Sequence, residues 1–123
     1  MTDLRIVVRN TSDDGGTFLT PTYFGFHDGR FDLFNSGEAA SAGLEMLAED
    51  GGAGGLAAER LAADADSQGT VILGDAGPIA AQEYTSGRFT VNGASNGFVS
   101  IAAMLLPSND AFIGTDDAVQ LFT

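Results

Sequence analysis

The 123 residues carry 17 acidic side chains against five arginines and no lysine, a formal charge of −12. Phosphate backbones and anionic bilayers are held by clustered Lys and Arg, so the charge excludes nucleic acid and acidic membrane surfaces as partners. The absence of cysteine excludes disulfides, thiolate metal sites and a cysteine nucleophile, while 44% apolar residues suffice for the core of one domain, 1–123. No apolar run approaches the roughly 20 residues of a membrane-spanning helix, and no signal peptide is visible. An acid excess of this size suits a salty or cation-rich setting, where carboxylate repulsion is screened.

Leu4-Arg5-Ile6-Val7-Val8-Arg9-Asn10 alternates as a half-buried strand with its arginines toward water. After the turn at 11–16, an aromatic β-rich stretch at 17–26 is interrupted or bulged at Pro21, which cannot donate to a ladder. His27-Asp28-Gly29-Arg30 is a further turn. Between 38 and 66, alanine, leucine and glutamate replace β-branched residues. Leu44, Leu47 and Ala48 share one helical face, stopped by Asp50-Gly51-Gly52, and Leu56, Glu59, Arg60 and Leu61 mark a second short helix. Strands return at 70–73 and 88–92. The longest apolar run, 98–106, lacks alternation and predicts a central strand buried on both faces, ending at Pro107. A polar loop over 108–117 and a terminal strand over 118–122 complete a mainly β sandwich with a helical insertion.

Three segments carry a resemblance. They are Gly15-Gly16-Thr17-Phe18-Leu19-Thr20-Pro21 with Gly25-Phe26-His27-Asp28-Gly29, then Gly43-Leu44-Glu45-Met46-Leu47-Ala48-Glu49-Asp50-Gly51, then Met104-Leu105-Leu106-Pro107-Ser108-Asn109-Asp110-Ala111-Phe112-Ile113-Gly114. Together they resemble the spondin-type domain of bacterial secreted proteins, related to the amino-terminal spondin domain of F-spondin and mindin. In the third segment the animal pattern Pro-Ser-Pro-Asp-Trp-Phe-Val-Gly-Val-Asp aligns with 107–116, Asn109 and Ala111 standing for its proline and tryptophan. The resemblance implies a C2-like antiparallel β-sandwich, no catalysis, and a secreted or cell-surface adhesion role. It also implies calcium, with Asp110 at the position of a family ligand. A second family ligand falls near 90–92, where this chain has no acid, and a third lies beyond Thr123, where family members usually continue.

The residues themselves add to that expectation. Asp110, Asp116 and Asp117 with Ser108, Asn109 and Thr115 place many oxygens in one loop, and calcium takes six to eight oxygen ligands. Asp110 and Asp116 are therefore the candidate metal ligands. The same loop also suits a turn in which Asn109 or Asp110 caps its own backbone. His27, the only histidine, sits beside Asp28 but has no sequence-evident nucleophile, and a structural role packing or bonding to a nearby carbonyl is expected. Glu38 suits the positive end of the first helix, whereas Glu49 and Asp50 sit at its unfavourable end. Phe18, Phe24, Phe26, Phe31 and Phe34 with Tyr23 are expected mostly in the core. No nucleophile elbow or P-loop occurs.

The expectation is a non-enzymatic extracellular adhesion or assembly domain with a calcium site. Its partner is a protein or matrix component, or another copy that adds a strand to an open sheet edge. An alternative is a calcium-dependent module that binds carbohydrate or lipid headgroups through loops at one end of the sandwich. An acid–base enzyme built on His27 is a third.

Overall fold

A computed structural model describes residues 1–122. Strand β1 spans Thr2–Arg9, β2 Phe18–Leu19 and β3 Thr22–His27. Helices α1 and α2 follow at Ala42–Asp50 and Gly54–Ala63. Strands β4 (Gln68–Ile72), β5 (Tyr84–Val91), β6 (Phe98–Leu106), β7 (Phe112–Gly114) and β8 (Val119–Gln120) complete the chain. All pairings are antiparallel. β6 pairs with β2, β3, β7 and β8, β3 pairs in turn with β4, and β1 and β5 form a separate ribbon.

Most expected elements stand where the pattern puts them. Pro21 does divide the aromatic stretch: Leu19 to Tyr23 covers four steps while their β6 partners, Leu105 and Ala102, are three apart, so one extra residue is absorbed there. The run at 98–106 is the hub of the larger sheet. Two expectations are corrected. The stretch 108–117 is not only a loop, because β7 pairs Phe112 with Met104 and Gly114 with Ala102 inside it. The terminal strand is two residues long, not five.

Alternation along β3 builds two cores on opposite faces of one sheet. Tyr23, with Ala102 across from it, packs under the helices against Leu44, Leu47 and Leu56. Phe24 and Phe26, opposite Ile101 and Val99, pack under the ribbon against Val91 and Ile72. The sandwich is therefore three layers: helices, six-stranded sheet, two-stranded ribbon.

The N-terminus of α1 departs from expectation. Ser41 is the N-cap and accepts from the Leu44 N–H at 3.2 Å. The acid serving this end is Glu59 of α2, not Glu38: it accepts from Ser41 Oγ at 2.7 Å and from the Gly43 N–H at 2.8 Å. Glu38 accepts from Asn35 instead. Gly51, in the left-handed region, closes α1 by donating to the Leu47 carbonyl at 2.8 Å.

Candidate functional site

Strand β7 lies between Asp110 and Asp116, so the two expected ligands sit off opposite ends of a strand. Asp110 lines a pocket with Glu45 and Glu49 of α1, and Asp116 lies in the turn before β8. Among the described residues no three His, Cys, Asp or Glu side chains gather closely enough to hold a metal ion. The turn is capped by Ser108, which donates to the Leu105 carbonyl and accepts from the Ala111 N–H at 3.3 Å. Neither Asn109 nor Asp110 fills that role. Thr115 is also engaged, accepting the Ile101 N–H at 3.1 Å.

His27 is the last residue of β3 and fully enclosed, packed edge-on against Phe31 and stacked on Phe98. The Gly29 N–H donates to its Nδ1 at 3.0 Å, which places the ring hydrogen on Nε2, 2.9 Å from Ser100 Oγ. Nε2 therefore donates to the hydroxyl and has no lone pair with which to take its proton. Burial holds the imidazole below its usual pKa, outweighing the pull of Asp28 and Asp64. This is a structural histidine bonded to a serine and an amide, not to a carbonyl. Asp28 instead holds Arg30: it accepts the Arg30 backbone N–H at 3.0 Å and Nε at 2.7 Å, and the backbone bond leads in keeping its carboxyl below the usual range.

The linear sequence does not place the open edge of the sandwich; the structure leaves one along β1. β5 is tied to the larger sheet by side chains: Gln68 donates to the Thr90 carbonyl and accepts the Asn92 N–H, and Thr85 donates to the Leu73 carbonyl. Among the described residues β1 pairs only with β5. Its other edge borders an apolar groove of about 320 Å³ whose lining includes Leu4, Ile6, Phe24, Ile101, Leu121 and Phe122. On the ribbon's outer face, Asp3 stands opposite Thr90, Arg5 opposite Arg88, Val7 opposite Ser86 and Arg9 opposite Tyr84. Three of the five arginines thus share one exposed face, and none of the three has a carboxylate partner among the described residues. Asp3 accepts from Thr90 Oγ1 at 2.6 Å.

Of the aromatic cluster, Phe24, Phe26, Phe31 and Tyr23 are core and Phe34 packs against it, while Phe18 is exposed. No described helix is long and apolar enough to cross a membrane. No curated protein matches the chain. The Spondin_N family model matches residues 18–121, covering every element from β2 to β8. The chain belongs to the spondin N-terminal domain family.

Proposed function

We propose that this is a non-enzymatic extracellular assembly domain that associates with a second copy of itself through the free edge of β1. Membership of a family of non-catalytic, extracellular domains supports the class. One observation carries the mode: β1 has one bonded neighbour, and its other edge lies over an apolar groove. An unpaired edge offers a row of N–H and C=O groups to another strand, and side chains alternating into a groove add affinity.

The charge pattern of β1 selects a register for two copies paired antiparallel about a two-fold axis. With Ile6 facing its own counterpart, Asp3 of one copy opposes Arg9 of the other, twice, and no two arginines meet. A shift of one pair either way sets Arg5 against Arg5 or against Arg9, and like charges directly opposite are destabilising. Leu4 and Val8 then meet on the inner face, continuous with the groove. The ribbon becomes a four-stranded sheet across the dimer axis, an isologous interface.

The test is mass against concentration by sedimentation equilibrium. Asn10 donates its N–H toward β5, to the Glu83 carbonyl at 2.9 Å, so by strand alternation the Val7 N–H points away from the ribbon. Val7→Pro should remove that donor, leave the β5 pairing intact and give a monomer where the parent dimerises. A parent that stays monomeric at every concentration overturns the proposal.

A further inference from the structure

Arg60 is 5% exposed, the one buried arginine among the described residues of a chain with 17 acids. No carboxylate among the described residues lies within ion-pairing distance of it. The nearest acids in sequence are committed elsewhere: Glu59 binds Ser41 and the Gly43 N–H, and Asp64 accepts from the backbones of Asp28 and Asp66 and from Arg30. Arg60 Nε donates to Ser67 Oγ at 2.7 Å and Nη1 donates to the Tyr23 hydroxyl at 2.8 Å. Both acceptors are neutral, and Nη2 has no partner among the described residues.

The backbone is shaped around this guanidinium. Gly25 of β3 and Gly69 of β4 are directly paired, and a Cβ on Gly69 would stand 2.0 Å from Nη1. On Gly25 it would meet the Arg60 Cδ at 3.2 Å. The two glycines open a window in the sheet in which the charged group lies. Arg60 also lines an open pocket of about 370 Å³ between α2 and β4, together with Tyr23, Ala57, Gly69, Thr70 and Val71. Nη2 is not enclosed and stays open to a ligand, and a guanidinium without a counter-ion meets a carboxylate with two parallel N–H···O bonds. The surrounding wall of Ala57 and Val71 suits a short apolar stem rather than a second charge.

We infer that the Arg60 pocket binds a small organic carboxylate carried on a short apolar stem, the anion pairing with Arg60 beside the Tyr23 hydroxyl. This site lies between α2 and β4, away from β1, so it stands or falls independently of the strand-pairing reading. The probe is sodium butyrate, titrated into the full chain while backbone amide shifts are followed by NMR, with sodium chloride at matched ionic strength and sodium phosphate as parallel arms. Saturable shifts at Gly69, Thr70 and Val71 are expected with butyrate alone, together with a rise in melting temperature that grows with butyrate concentration. Arg60→Met should abolish the saturable shifts. Ala57→Leu narrows the pocket while keeping the arginine, and should abolish them as well. Shifts that follow ionic strength only, saturation by phosphate in place of butyrate, or butyrate shifts that persist in both variants overturn the inference.

Discussion

His27 shows how much a single enclosed side chain commits the fold. The folded state keeps it neutral, because burial lowers its pKa below the ordinary value of 6.5. The unfolded chain takes up a proton there at about pH 6.5. Between that value and the lower folded pKa the unfolded state binds more protons, so stability rises with pH in this window and is lost as pH falls below 6.5. Urea midpoints at about pH 7.5 and about pH 5 should differ more for the parent than for His27→Gln, which removes the titration. Equal differences would show that His27 is not the titrating group. Gly69 gives a steric counterpart. Gly69→Ala drives a methyl against the Arg60 guanidinium and should destabilise by about 1–3 kcal/mol, the range of overpacked interiors, as measured by urea unfolding. A loss below a few tenths would mean that Arg60 swings away freely.

At the scale of elements, hydrophobic period and turn residues carried most of the fold. The run at 98–106 lacks alternation because β6 is covered on both faces, by helices and by the ribbon. That cause is local to the strand, and it is readable. Pro21 announced its own bulge for the same reason. The capping of α1 by Glu59 was not readable, since it depends on α2 folding back so closely that Gly43 and Gly55 touch backbone to backbone. Ser41→Ala should cost about 1 kcal/mol of stability by removing the N-cap acceptor. Glu59→Gln should cost less than Glu59→Ala, because the amide oxygen can still accept the Gly43 N–H; equal losses in chemical denaturation would contradict that role. Arg60 escaped the pattern entirely. A charged residue beside Glu59 on a short helix reads as solvated surface, and only the Gly25–Gly69 window across two strands explains its burial. Asp110 and Asp116, six residues apart in sequence, read as one loop, but β7 runs between them.

The whole molecule is charged unevenly. Arg5, Arg9 and Arg88 share the outer ribbon face, while Glu45, Glu49 and Asp50 lie exposed on the helical layer across the sheet. With a net charge of −12, stability should climb as sodium chloride rises from tens of millimolar to about 1 M, where the Debye length is about 3 Å. Calcium and magnesium at equal ionic strength should shift the melting temperature alike, since among the described residues no three His, Cys, Asp or Glu side chains gather to distinguish them. A calcium-specific shift that Asp110→Asn removes would contradict that reading.

Self-association through β1 is tested most directly by a charge exchange on that strand, with dimer dissociation constants compared by sedimentation equilibrium. In the register with Ile6 at the two-fold axis, Asp3→Arg sets arginine against Arg9 twice and should weaken the dimer about fourfold or more, at 0.2–1 kcal/mol per cross-strand charge contact on each side of the change. Adding Arg9→Asp in the same chain should restore the parental affinity. Two variants that dimerise like the parent, or a double variant no tighter than Asp3→Arg alone, would contradict strand pairing in this register.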